Sequence, residues 1–438
     1  MAAVLFLTLG AMIFVPSRGH LRPEYPLLAA LLFVLLLRSG LGILRRTATE
    51  QFLLFLFTAC GLLSIISFSM RSDRFVYQDV LTLARGPVYG LILAISSSIA
   101  ITERQMRSFL ALLTLMAVAV VGISLIQYYN VGGLNAIFLQ LYREDTALST
   151  GSSYWDDFVF MSDIRRVIGT SGNPNDWGLI LSYFGLFAVY RIIFERRLLW
   201  APLAAGLMAA IITSGSRTAV VGLIGALGVG LAFATLYGRV RPAHLFTGFG
   251  LLVPVVLGGW LFYATQFQNK DRFTAHDLGS MQERLYLWVD SLRQYQSTLL
   301  LGQGPAKALR VRGSINASNA QVRDNVFVSF FVQFGVVGVA VVVALMTAMF
   351  RRLVRELRAD DHAIPWWPVF MLSVFVAWVL FGMTADSFFA NQVTYCMLLL
   401  YGITLAAPRR APAPSAASTS PEFPINLEGP TSEPLPIR

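Results

Sequence analysis

The feature that most constrains this chain is the length of its apolar runs. Gln51–Met70, Phe109–Gln127, Asn175–Phe194, Leu245–Gln266 and Val326–Phe350 each approach or exceed the roughly 20 residues that cross a bilayer as a helix. The composition agrees: the 438 residues are 56% hydrophobic and only 13% charged, with a mean hydropathy of +0.63. A soluble protein of this length would carry about 25% charged residues and divide into two or three domains. This chain has too few polar residues to cover such surfaces, so the expected fold is all-α, a polytopic transmembrane bundle.

The formal net charge of +10 would suggest nucleic acid in a soluble protein. Here most positive residues flank apolar segments, which is the pattern of topology signals, and no nucleic-acid partner is expected. Cys60 and Cys396 both fall inside apolar runs and read as packing residues, without a disulfide or metal framework. Met1–Val15 is apolar but lacks a basic start and a convincing cleavage site, so it reads as a retained first helix rather than a signal peptide.

Arginine clusters fix the expected orientation. Arg45 and Arg46, Arg104 and Arg107, Arg196 and Arg197, Arg239 and Arg241, Arg351–Arg358, and Arg409 and Arg410 sit in every second connection, as the positive-inside rule requires of cytoplasmic loops. About twelve helices follow, at 2–16, 26–38, 51–69, 76–101, 108–128, 175–194, 199–214, 217–237, 245–266, 325–350, 366–384 and 391–408. Both termini are then cytoplasmic in a bacterial inner membrane, with a transmembrane domain over 1–408 and a disordered Pro/Ala/Ser-rich tail over 409–438.

Two outer loops, 130–174 and 267–323, are far longer than ordinary helix connections, and such loops are usually functional. The second contains a predicted surface helix. Ser280 and Glu283 form a capping box, and Met281, Leu285, Trp288 and Leu292 mark one apolar face. Both loops also carry arginines against the positive-inside trend, among them Arg166, Arg284 and Arg323. Guanidinium forks suit phosphate and diphosphate groups.

Four short elements frame these arginines. Arg166-Val-Ile-Gly169-Thr-Ser-Gly172-Asn173-Pro174-Asn175 closes the first loop and opens a helix; the same residues also serve as a plain turn and cap. Thr213-Ser214-Gly215-Ser216-Arg217 is a polar hairpin between apolar helices, where an arginine at the bilayer surface is expensive and commonly functional. Gly302-Gln303-Gly304 is a tight turn. Arg323-Asp324-Asn325 precedes an apolar run with Gly335-Val-Val-Gly338, and taken alone Asp324 and Asn325 read as a helix cap.

In this order the elements resemble the O-antigen ligase and polysaccharide polymerase superfamily, inner-membrane enzymes that use undecaprenyl-pyrophosphate-linked glycans. The resemblance covers about 166–338. It implies that Arg217 and Arg284 grip the pyrophosphate of the lipid carrier, with Arg166, Asn173, Asn175, Ser216, Arg323 and Asn325 as further substrate contacts. Ligases carry a His before the Asn, taken as the base for the acceptor hydroxyl, whereas this chain has Asp324 there. Asp-Asn is more similar to polymerases that join exopolysaccharide, capsule or O-antigen repeat units. The expectation is therefore metal- and cofactor-independent glycosyl transfer at the periplasmic face by Asp324, Arg217 and Arg284. The alternatives are ligase-type transfer to lipid A core or protein, and transport of a lipid-linked sugar or anion past Arg85 and Asp79. A Mg²⁺ or Mn²⁺ site at Asp156, Asp157 and Asp163 is the less favoured reading of those carboxylates. Implied partners are the lipid-linked glycan, membrane lipids, and a chain-length regulator or flippase.

Overall fold

The computed structural model describes residues 2–3, 6, 8–10, 30–35, 37, 40–69, 77–135, 166–171, 173–240, 250, 288–289, 293, 298–304, 325–359, 361–383 and 391–409. Among them are nine α-helices and no β-strand: α1 Ala48–Ser69, α2 Tyr77–Ser98, α3 Glu103–Tyr129, α4 Pro174–Glu195, α5 Ala201–Ser214, α6 Arg217–Leu236, α7 Val326–Arg358, α8 Trp367–Gly382 and α9 Asn391–Ala406. The all-α expectation holds. Five of the described helical stretches are long and apolar enough to cross a membrane, Leu44–Ile66 running into α1 and the others being α3, α4, α6 and α7, and α5, α8 and α9 are shorter apolar helices. The predicted helix 245–266 and the tail from 410 lie outside the described residues, as does most of the predicted surface helix. Helices 2–16 and 26–38 are only partly described.

The helix boundaries have local causes. Thr102 and Gln105 make a reciprocal capping box that starts α3 before the predicted 108. At the other extreme α7 runs on to Arg358 instead of the predicted 350. The Arg351–Arg358 stretch, read as a connection, is built of good helix formers. Its arginines also oppose the negative end of the helix dipole.

The helix α4 is the axis of the bundle: 89% of its most apolar window is buried. A helix that is apolar all round needs neighbours on every side, and α4 packs against α3, α5, α6, α8 and α9. The most extensive pairing among the described helices is α6 on α8. Along α6 the small residues Ala219, Gly222, Ala226, Gly230 and Ala234 are buried at helical spacing, which lets neighbouring backbones approach. At Gly230 the space of a side chain is taken by the Tyr190 hydroxyl and Ser373, which hydrogen-bond each other at 2.6 Å.

The arginine clusters that are scattered in sequence collect at one end of the bundle. Arg239, after α6, donates to the carbonyls of Leu357 and Ala359 at 2.9 and 2.8 Å. Arg358 donates to the Tyr237 hydroxyl at 2.9 Å. Arg409, after α9, pairs with Glu356 and Asp361 at 3.1 and 3.2 Å. Arg107, at the start of α3, shares a cleft with Arg191 near the end of α4 and Trp366 before α8. The loop before α4, the α5–α6 hairpin, and the start of α7 lie at the other end.

The helix α7 is interrupted. Gly335 has φ 68° and ψ −168°, a conformation essentially confined to glycine. The break is crossed by the segment 298–304. The amides of Gln303 and Gly304 donate to the carbonyls of Val332 and Gln333, each at 2.9 Å. On the far side, Val336 and Val337 donate to the carbonyls of Leu299 and Leu300 at 2.8 and 3.3 Å. The four backbone groups released by the break thus find partners, which is the condition for irregular backbone inside a membrane protein. Gly335 serves this insertion, its side-chain space being taken by the Leu300–Leu301 backbone, whereas that of Gly338 is taken by Phe334.

Candidate functional site

The first element of the site is held by its backbone. Val167 donates its amide to the Thr213 carbonyl at 3.1 Å, laying the end of the first long loop against the α5–α6 hairpin. Arg166 reinforces this contact. Its Nε donates to the Ser214 carbonyl at 3.0 Å, and its Nη2 to Asn175 Oδ1 at 3.2 Å and to the Gly215 carbonyl at 3.3 Å. A planar guanidinium with five donors can bridge acceptors from two elements at once, which an ammonium cannot do as well. Arg166 therefore clasps the start of α4 to the hairpin.

The helix starts themselves are capped. Asn173 Oδ1 accepts from the Asn175 amide at 2.8 Å, and Pro174 occupies the first position of α4, where its missing N–H costs nothing. Ser216, buried, accepts from the Ala219 amide at 3.3 Å and caps α6. Arg217 is the first residue of α6 and is exposed. The hairpin thus presents a cation at a helix N-terminus, where amides and dipole already favour an anion.

A buried support that was not legible from sequence motifs lies beneath. Gln127, near the end of α3, pairs with both backbone groups of Gly169: its Nε2 donates to the carbonyl at 3.0 Å and its Oε1 accepts from the amide at 2.8 Å. Gly169 has φ +56° and rests on the Trp177 ring, which fills the space of any side chain. Trp177 is itself fixed by donating to Ser124 Oγ at 3.0 Å. The available signal was a glutamine at the end of an otherwise apolar run, which a membrane helix tolerates only for a reason.

Asn325 lies at the same end of the bundle. Its Oδ1 accepts from the amides of Phe327 and Val328 at 2.9 and 3.1 Å, capping α7, while its Nδ2 donates to the Met383 carbonyl at the end of α8 at 2.9 Å. The cap reading of Asn325 is therefore correct, with a cross-helix tie added. The residues Arg284, Arg323 and Asp324 lie outside the described residues, as do Asp156, Asp157 and Asp163. Arg166, Asn173, Asn175 and Ser216 gather with Arg217 around the α4 and α6 starts.

Residues 201–343 match the family model described as O-antigen ligase. The match spans the Ser216-Arg217 hairpin, the 298–304 insertion and the Asn325 helix start through Gly338. It supports membership of the O-antigen ligase and polysaccharide polymerase superfamily. Arg166, Asn173 and Asn175 precede the matched stretch, yet Arg166 ties Asn175 to Ser214 and Gly215 within it. No curated protein matches the chain.

Proposed function

We propose that the protein polymerises undecaprenyl-pyrophosphate-linked oligosaccharide repeat units by glycosyl transfer at the periplasmic face. The observation that carries this reading is the family match together with the α6 start, bearing Arg217, that it encloses. In the reaction, the glycosidic bond to the pyrophosphate of the growing chain breaks as the hydroxyl of an incoming unit attacks the anomeric carbon. Negative charge then develops on the departing pyrophosphate, and Arg217 and Arg284 neutralise it. Asp324 accepts the hydroxyl proton or orients that hydroxyl; such help contributes about 10²–10⁴ in rate. Arg323, Arg166, Asn173, Asn175, Ser216 and Asn325 shape the surrounding anion-binding surface. Arg166 does so chiefly by holding the hairpin.

The family description favours a second reading, transfer of finished glycan to lipid A core or protein, as a ligase performs. Asp324, where ligases carry His, argues for polymerisation. The two readings separate in the size distribution of lipid-linked and surface glycan in a deletion strain complemented with wild type or Asp324→Ala. Polymerisation requires that single repeat units accumulate on the carrier, that long chains vanish, and that Asp324→Ala fails to restore them at normal protein level. Long chains that form normally but stay on the carrier would establish the ligase instead.

A further inference from the structure

At the end of the bundle opposite the candidate site, the start of α3, the end of α4, and the approach to α8 enclose a cleft of about 520 Å³. That size is ordinary for a small-molecule site, roughly 300–1,000 Å³. Its polar walls are Arg107, Arg191, Glu195 and Trp200, and its apolar walls include Leu110 and Trp366. Within it, Arg191 lies 4.1 Å over the Trp200 ring and 2.6 Å from the Glu195 carboxylate. Trp200 Nε1 also donates to Glu195 at 3.3 Å. The one carboxylate among the cleft residues, Glu195, is thus held by Arg191 and Trp200, while Arg107 pairs with Glu103 on its own helix.

Three further observations bear on what the cleft takes. Arg104, Arg196 and Arg197 are exposed and lie within a few residues of the cleft residues in sequence, so five arginines stand against Glu103 and Glu195 in these two segments. Leu198 and Leu199, between Arg197 and Trp200, are 73% and 78% exposed, as befits a segment set into the membrane surface. Most telling is α3. Arg107 and Ala111, both cleft residues, open an exposed stripe at helical spacing that continues through Leu115 and Val118 to Leu125. The cleft therefore joins a cationic mouth to an apolar track running down the outside of the bundle, which is the shape of a lipid with a charged head.

We propose that this cleft binds the phosphate headgroup of an anionic phospholipid, with Arg107 on the phosphate and the acyl chains lying along Leu115 and Val118. Guanidinium–phosphate bonds are charge-assisted and can be bidentate. Basic pockets between transmembrane helices are a recurrent way of holding such headgroups. Lipid is favoured over free phosphate because only a lipid uses the apolar track. The proposal does not rest on the polymerase reading.

The test uses the full-length protein purified in neutral detergent and titrated with phosphatidylglycerol, phosphatidylcholine or inorganic phosphate. Retained lipid is read by native mass spectrometry and stability by thermal unfolding. The expected result is retention of phosphatidylglycerol with a raised Tm, and neither effect with the other two. Arg107→Gln should weaken retention about tenfold or more, the loss of one strong charge-assisted contact. Its partner Glu103 is one turn away on the same helix. An exposed pair of this kind contributes little to stability, so the variant folds. Leu115→Gln, on the track, should weaken retention while leaving the mouth intact. Equal retention of phosphatidylcholine, protection by inorganic phosphate alone, or wild-type retention by Arg107→Gln would overturn the proposal.

Discussion

Arg166 Nε donates to the carbonyl of Ser214 at 3.0 Å, so a residue at the end of one long loop holds the backbone turn that precedes Ser216 and Arg217. With Nη2 on Asn175 and Gly215, the same side chain joins the starts of α4 and α6. Lysine keeps the charge but lacks the fork. Arg166→Lys is therefore expected to cost about 1–3 kcal/mol, the range for losing hydrogen bonds to a charged group. It should lower the proposed polymerising activity along with Tm. Unchanged Tm with lost activity would instead make Arg166 a direct substrate contact.

Arg217 should behave differently. It is exposed at the first position of α6, where surface substitutions usually stay within about ±0.5 kcal/mol. Arg217→Ala should leave Tm nearly unchanged and reduce chain formation by about 10²–10³-fold, as when a donor to developing negative charge is removed. Glycan chain length measured at matched protein level decides the matter; near-normal chains would remove Arg217 from the reaction.

Gly335→Ala should damage the fold itself. The backbone there is in the glycine-only region, and an added Cβ would lie 2.2 Å from the Leu300 carbonyl oxygen. Either α7 straightens and expels the 298–304 insertion, or the insertion shifts; the strain alone is of order 1–3 kcal/mol. A sharp fall in folded yield and Tm is expected.

Gln127→Leu removes both partners of Gly169 from a buried site. Leaving a buried amide and carbonyl unsatisfied costs about 1–3 kcal/mol each. The expected outcome is a lowered Tm, with loop residues 166–171 exchanging their amides faster by hydrogen–deuterium mass spectrometry.

Asn325 offers a test by chemistry. Asn325→Asp keeps the Oδ acceptor that caps α7 but loses the Nδ2 donor to Met383, whereas Asn325→Ala loses both. The cap accounts for about 1 kcal/mol, so Tm should fall in the order wild type, Asp, Ala. An Asp variant as stable as wild type would show that the tie to Met383 contributes nothing.

How far the sequence spoke follows from what each feature depends on. Helices such as α4 and α6 were legible almost to the residue, because their apolar runs are bounded by Asn173-Pro174 and Ser216 caps. Those signals are local. The gathering of Arg166, Asn175 and Arg217 was foreshadowed only by motif order, since nothing local says that a loop will lie against a hairpin. The break at Gly335 was invisible for the same reason. A glycine in an apolar helix usually means close packing, and the segment that crosses the break lies far off in sequence. Gln127 was passed over because a single polar residue in a long apolar run carries no partner's name.

The collection of arginines at one end has a consequence for supply. To turn over in a bilayer the protein would have to drag Arg104, Arg107, Arg196, Arg197 and the arginines of Arg351–Arg358 through hydrocarbon. Each carries a penalty of about 2.5–3.5 kcal/mol even on the most lenient scale. Such a molecule keeps one sidedness for its lifetime. It cannot ferry anything across by somersaulting.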